Sequence, residues 1–202
     1  NAKPEKYLGQ HFILSKKALN LMIVASEIKP RPSAEGRGKK TDTIIEIGPG
    51  LGTLTRELAK TGANIIVIEK DPLMVKILKE TLVNYKNIKI IQSDARQLLI
   101  PRINIIDSRN QYKIVANLPY NVATFLIRQW LELNPANDVN DGVLVSNPLE
   151  MMVLMIQKEV AQRIIAKPPR SNLLAMSVQF YADVKIIDYV KKESFWPKPK
   201  VD

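Results

Sequence analysis

The sequence predicts an α/β domain in which a mainly parallel sheet carries helices on both faces. Three observations carry that prediction. Short β-branched runs alternate with stretches of helical spacing over most of the 202 residues, the pattern of βαβ units with right-handed crossovers. The strand candidates are apolar without alternation, as strands buried on both faces are. The first of them runs into a glycine-rich turn and then a helix.

Taken in order, an N-terminal helix precedes residues 29–40 (KPRPSAEGRGKK), a Pro-, Gly- and charge-rich stretch that reads as a flexible basic loop. Thr43–Ile47 is the first strand, and 53–61 after the glycines is a helix. Asn64–Glu69 is strand-like through Ile65, Ile66, Val67 and Ile68. Helical spacing follows over 72–85, with Leu73, Val75, Ile77, Leu78 and Leu82. Ile88–Gln92 and 113–117 are further strands, and 122–133 is a helix. Residues 134–148 (NPANDVNDGVLVSNP) are turn-rich and read as a surface insertion. Then come an apolar strand at 151–157, helices at 158–166 and 173–180, and a last strand at 184–190. Internal repeats are absent. The expected organisation is one domain, with 1–42 as a helical and basic segment and 43–202 as the core.

Charge and composition narrow the function classes. Lys plus Arg number 30 and Asp plus Glu 20, a net of +10. Nine basic and three acidic residues fall in 1–40, and seven basic and four acidic in 167–202, so the centre is nearly neutral. A basic excess at the ends favours a polyanionic partner, nucleic acid ahead of a membrane surface, with plain solubility as the bland alternative. Cysteine is absent, which excludes disulfides, iron–sulfur clusters, thiolate zinc sites and Cys nucleophiles. With His11 the sole histidine, a Ser-His-Asp triad or multi-His metal site has nothing to build on. No apolar run approaches ~18 residues and the start is unlike a signal peptide, so a cytosolic protein is expected.

The sharpest motif is Ile44-Ile45-Glu46-Ile47-Gly48-Pro49-Gly50-Leu51-Gly52. Glycines at the end of a strand permit a tight turn and let backbone approach a ligand. The spacing departs from Gly-x-Gly-x-x-Gly, because the third glycine comes one residue early and position 53 is Thr. Alone, the cluster could be a turn without a ligand. The second strand ends in Glu69, a carboxylate able to accept both hydroxyls of a ribose, or else an exposed charge beside Lys70. Asp94, after the third strand, could accept from an adenine amine, or serve only as a cap or turn residue. Three such groups at successive strand ends point to an adenosine-containing ligand on that rim. The fourth strand ends in Asn117-Leu118-Pro119-Tyr120, which offers a neutral acceptor, a rigid turn and a flat ring on which a base could stack. The bland alternative is a turn with a core aromatic.

With these residues in view, the chain resembles the ribosomal RNA adenine dimethyltransferases. The matching segments are Gly9-Gln10-His11-Phe12-Ile13-Leu14, Glu46-Ile47-Gly48-Pro49-Gly50, Glu69-Lys70-Asp71, Ser93-Asp94-Ala95 and Asn117-Leu118-Pro119-Tyr120. Gln157-Lys158-Glu159-Val160 and Phe195-Trp196-Pro197-Lys198-Pro199-Lys200-Val201-Asp202 continue the match to the end. The resemblance implies a Rossmann-like class I methyltransferase fold and S-adenosylmethionine as cofactor, leaving S-adenosylhomocysteine, with no metal. It implies that Gln10, His11, Ile13, Gly48, Gly50, Glu69, Asp94, Ala95 and Asn117 line the cofactor site. Glu69 would hold the ribose and Asp94 the adenine. Asn117, Leu118, Pro119, Tyr120 and Phe195 would form the catalytic group, with Tyr120 and Phe195 on opposite faces of an extruded target adenine. It further implies another antiparallel strand beyond Asp202, lying between its neighbours so that 184–190 is poorly paired without it, and then a small helical domain. Ser171-Asn172-Leu173 departs from the Tyr-Gly-x often found there, and 134–148 is longer than usual.

The expected function is transfer of methyl groups to the N6 amines of two adjacent adenosines near the 3′ end of small-subunit rRNA, in ribosome maturation. The expected partner is that rRNA or a pre-30S-type particle, met by a cytoplasmic monomer without a membrane. Two alternatives stand beside it: a large-subunit enzyme of the macrolide-resistance type, and a non-catalytic RNA-binding assembly factor.

Overall fold

A computed structural model of the chain describes residues 11–29, 41–98, 111–132, 139–140, 143–144 and 149–199. Its opening elements are β1 (Phe12–Ile13), α1 (Lys16–Ala25), β2 (Thr43–Ile47), α2 (Thr53–Lys60) and β3 (Asn64–Glu69). There follow α3 (Pro72–Thr81), β4 (Ile88–Gln92), β5 (Tyr112–Asn117) and α4 (Ala123–Glu132). A short antiparallel ribbon, β6 (Val139–Asn140) and β7 (Val143–Leu144), leads to β8 (Leu149–Met155), α5 (Lys158–Ile164), α6 (Leu173–Gln179) and β9 (Phe195–Trp196).

Five strands form one all-parallel sheet in the order β4-β3-β2-β5-β8. The chain steps outward from β2 to β3 to β4, then crosses back to place β5 on the other side of β2. Ligands of open α/β sheets bind at such a switch point, outside the carboxyl ends of the strands. The unbroken apolar runs follow from burial on both faces. On one face Ile45, Ile47, Ile66, Ile68 and Ile114 pack with Leu126, Ile127 and Trp130 of α4. On the other, Ile44, Ile65, Val67 and Val115 meet Leu58, Leu78 and Met22 from α2, α3 and α1.

Most elements lie where the sequence places them, shifted by a residue or a few at their ends. The helix expected over 72–85 stops at Thr81, because its last turn tightens into a bond from Tyr85 N to Leu82 O at 2.9 Å. Asp71 caps its other end, accepting from Leu73 N at 2.8 Å, with Pro72 preset for the first turn. The strand expected at 184–190 is not formed. It finds no ladder partner among the described residues, and Ile187 and Tyr189 are more than half exposed. An exposed run without a partner strand leaves its backbone donors and acceptors to water and forms no ladder. The expected basic loop lies outside the described residues from position 30 on, as does most of 134–148. The pairing of β1 with β9, Phe12 opposite Trp196 and Ile13 opposite Phe195, was not expected. Two-residue strands carry no periodicity to read.

One buried cation holds the base of the sheet together. Lys113, 1% exposed, donates to Glu27 O at 2.8 Å and to Asp42 Oδ2 at 3.0 Å, with Glu150 Oε1 at 3.7 Å. It thus ties the end of α1, the entry to β2 and the edge strand β8. Removing one member of a buried ion group leaves the others desolvated and unpaired. Lys113→Ala is therefore expected to lower stability by about 3–5 kcal/mol, measured by urea unfolding. A loss under about 1 kcal/mol would mean the group behaves as a solvated surface pair.

Candidate active site

The carboxyl ends of β2, β3 and β5, with the turn after β4, enclose a cavity of about 310 Å³. The turn after β2 forms its floor. Gly48 extends the β2–β3 ladder by one bond, donating from its N to Ile68 O at 2.9 Å, and has φ +62°. Gly50 has φ +56°, and a Cβ there would lie 2.5 Å from Cε1 of Phe12. Phe12 is 7% exposed and stacked on Trp196 at 6.1 Å, so the ring has little room to yield. Gly50→Ala is expected to cost about 1–3 kcal/mol from backbone strain alone, with the ring clash in addition. Thermal unfolding of the variant measures it, and an unchanged midpoint would contradict the tight β1 contact.

Glu69 closes β3 with its carboxylate held by backbone. Oε1 accepts from Lys70 N at 2.8 Å and Asp71 N at 2.9 Å, and Oε2 from Gly50 N at 3.4 Å. A carboxylate has about four acceptor sites, so this geometry fixes the group and leaves capacity for a ligand. Burial pushes its pKa up, and the three backbone donors pull it back. Asp94 is gripped by Arg96, with Nη2 at 2.6 Å, and by Lys70, with Nζ at 3.0 Å. The Arg96 guanidinium leads in holding its carboxyl well below the usual range, so it presents a charged acceptor.

Asn117 ends β5. Its Nδ2 donates to the His11 carbonyl at 3.0 Å, which turns the amide so that Oδ1 remains to accept. In the turn that follows, Leu118 N donates to Met155 O at 3.1 Å and the Pro119 carbonyl accepts from Val122 N at 3.2 Å. The Leu118 carbonyl takes no such backbone bond among the described residues. Tyr120 lines the cavity with its ring stacked on that of His11, centroids 5.2 Å apart.

The structure therefore brings His11, Ile13, Gly48, Gly50, Glu69, Asp94, Ala95, Asn117, Leu118, Pro119 and Tyr120 to one cavity. Phe195 is the exception. It is 9% exposed and belongs to the apolar cluster beneath the sheet, beside Ile13 and Leu19, where it does not line the cavity. It pairs in β9 opposite Ile13 of β1. Gln10 lies outside the described residues.

Sequence reasoning passed over Glu46. It is 1% exposed, lines the cavity and leaves Oε2 without a hydrogen-bond partner among the described residues. Burial raises its pKa to about 8, and nearby Glu69 adds to the rise. The Thr55 hydroxyl offsets part of this, although it is not placed to form a full hydrogen bond. The signal was available: one carboxylate inside an otherwise apolar strand has to be explained. Lys70 and Arg96, which charge the Asp94 wall, were also missed, since neither type stands out in a chain so rich in basic residues.

Among the described residues no three His, Cys, Asp or Glu side chains group as metal ligands would, and no helix is long and apolar enough to cross a membrane. The sequence profile of a family described as ribosomal RNA adenine dimethylase matches residues 1–202. The chain is 38% identical over 202 residues to ribosomal RNA small subunit methyltransferase A of Dehalococcoides mccartyi, covering 99% of the chain and 60% of that protein. It is 37% identical over 204 residues to the protein of the same name from Clostridium acetobutylicum, covering 100% of the chain and 65% of the relative. The chain thus spans less than two thirds of the length of these curated relatives. A dimethyladenosine transferase from Plasmodium falciparum superposes with a TM-score of 0.71 at 27% identity, over 95% of this chain and 60% of that one. The 23S rRNA methyltransferase ErmE shares the fold, with a TM-score of 0.69 at 22% identity over 95% of this chain and 66% of its own.

Proposed function

The chain belongs to the ribosomal RNA adenine dimethylase family, and from that premise we propose that its cavity binds S-adenosylmethionine and presents it to an adenine N6 amine of small-subunit rRNA. The observation that carries this reading is the convergence of Glu69, Asp94 and the Asn117–Tyr120 turn on one cavity at the switch point. The residues fit the cofactor. Glu69 keeps acceptor capacity suited to ribose hydroxyls, Asp94 offers a charged acceptor for an adenine amine, and Glu46, whose Oε2 has no hydrogen-bond partner among the described residues, is a carboxyl that a cationic ligand would favour ionising. When bound, S-adenosylmethionine supplies an electrophilic methyl group on sulfur.

The protein's own part is positioning. An adenine amine is a poor nucleophile because its lone pair is delocalised into the ring, yet it can attack before losing a proton. Asn117 Oδ1 and the Leu118 carbonyl would accept its two N–H bonds, which favours a pyramidal nitrogen with its lone pair free to attack; the methylated amine would then lose one proton to water, with S-adenosylhomocysteine as the other product. Leu118 is favoured over Pro119 because the Pro119 carbonyl already accepts from Val122 N. Tyr120 holds the extruded base by stacking. The rate gain comes from in-line placement and exclusion of water, and no side chain is asked to act as a strong base. In this reading residues 1–202 form the methyltransferase domain of a cytoplasmic monomer. It acts on small-subunit rRNA or a pre-30S-type particle in ribosome maturation, and the basic ends grip phosphates.

The test is methyl transfer from labelled S-adenosylmethionine to unmodified small and large subunits, followed by mapping of the modified bases. Dimethylation of two adjacent adenosines near the 3′ end of the small-subunit rRNA is the expected result. Label confined to large-subunit rRNA would make it an enzyme of the other class. Absence of transfer together with absence of cofactor binding would leave an RNA-binding assembly factor.

A further inference from the structure

His11 is held by three contacts from two separate parts of the chain. Its carbonyl accepts from Asn117 Nδ2 at 3.0 Å, at the end of β5. Its Nδ1 lies 2.7 Å from the Pro197 carbonyl, just past β9. A carbonyl can only accept, so Nδ1 carries the proton and the ring orientation is set. That ring stacks on Tyr120 with the planes 26° apart. The residue therefore joins the first strand, the last strand and the Asn-Leu-Pro-Tyr turn, and it touches two of that turn's working groups.

We propose that His11 is a positioning residue. It sets the plane of Tyr120 through the ring stack and the direction of Asn117 Oδ1 through its carbonyl, so that both are aligned before the target base arrives. This goes beyond a cofactor contact at position 11, and it rests on the methyl-transfer reading given above. The division of labour follows from which atoms are involved. The carbonyl bond to Asn117 survives any side-chain replacement that leaves β1 in place, whereas the stack and the Pro197 bond depend on the imidazole. Loss of the ring should therefore shift Tyr120 first. The defect should fall on the target base and leave the cofactor end of the cavity, at Glu69 and Asp94, unaltered.

Two variants separate these effects. His11→Ala removes both ring contacts, and His11→Phe restores the stack without the Nδ1 bond. In the 202-residue chain, His11→Ala is expected to lower kcat/KM for unmodified small subunits about tenfold, the scale of one aromatic pair. The S-adenosylmethionine Kd should weaken by clearly less than kcat/KM falls, about threefold at most, since His11 also lines the cavity. His11→Phe should recover most of the lost kcat/KM. Should the alanine variant fail to fold, His11→Asn, which keeps a donor but loses the ring, takes its place. A cofactor Kd that weakens as much as kcat/KM falls would overturn the proposal and leave His11 as a cofactor contact. So would a folded His11→Phe variant no better than alanine. The ring-proton shifts of Tyr120, measured by NMR in the same variants, decide the stack even if the wild-type chain transfers no methyl group. They should move in His11→Ala and return toward the native values in His11→Phe, and unmoved shifts would overturn it.

Discussion

Asn117→Ala is expected to lower methyl transfer about a hundredfold or more, the cost of losing near-attack alignment at a reacting centre. Cofactor affinity should change little, because Glu69 and Asp94 are held by contacts that do not involve Asn117. Glu69 is fixed by the backbone of Gly50, Lys70 and Asp71, and Asp94 by Arg96 and Lys70. The side chain gives up one amide bond to the His11 carbonyl on truncation, so some loosening of β1 is expected too. Single-turnover rates at saturating cofactor separate the two effects. A large fall in rate with an unchanged cofactor Kd supports Asn117 as the acceptor for the target amine. An unchanged rate would remove it from that role.

Glu46→Gln is expected to change the pH dependence of stability most. Glu46 has a pKa near 8 in the folded chain against an ordinary value of 4.5. Between those values the folded state keeps a proton that the unfolded chain has released. Stability from this group is therefore full below about pH 4.5 and is lost as pH rises to about 8, by on the order of 5 kcal/mol. Glu69, also raised by burial, works in the same direction. Asp94 works in the opposite direction. Its lowered pKa supports the fold above the ordinary Asp value and is lost only in strong acid. Urea unfolding at pH 5 and pH 9 should show a steep fall for the wild type and a much smaller one for Glu46→Gln, which cannot ionise. Equal falls in the two proteins would contradict a buried, protonated Glu46. A positively charged ligand in the cavity favours the ionised form, so cofactor affinity of the wild type should rise over the same pH range and that of Glu46→Gln should not.

Long-range architecture was readable where one physical rule dominates. Strands buried on both faces are almost wholly apolar, and Ile44–Ile47, Glu46 apart, and Ile65–Ile68 announce themselves for that reason. The rim site was readable because a parallel sheet collects the residues after its strands, so Gly48, Glu69, Asp94 and Asn117 meet although they are far apart in sequence. What depends on tertiary partners was not readable. From its residues alone the run at 184–190 reads as a strand, yet it has no ladder partner among the described residues. Phe195 is an aromatic in a motif-like segment, and only its pairing in β9 opposite Ile13 turns it into the core. His11 could be placed near a ligand, but its hold on Pro197 and Tyr120 joins positions too distant for any spacing rule. Glu46 was visible as a residue and was passed over as part of a strand.

Calorimetric titration of the chain with S-adenosylmethionine, for the wild type and for Glu69→Ala, tests the role of the rim most directly. The expected result is one saturable site in the wild type. Binding in Glu69→Ala should be weakened about tenfold or more, as when a charged acceptor is withdrawn from a buried hydrogen bond. The thermal midpoint of the variant, taken alongside, confirms that it is folded. No binding by the wild type, or equal binding by a folded Glu69→Ala, would contradict the assignment of this cavity to the cofactor.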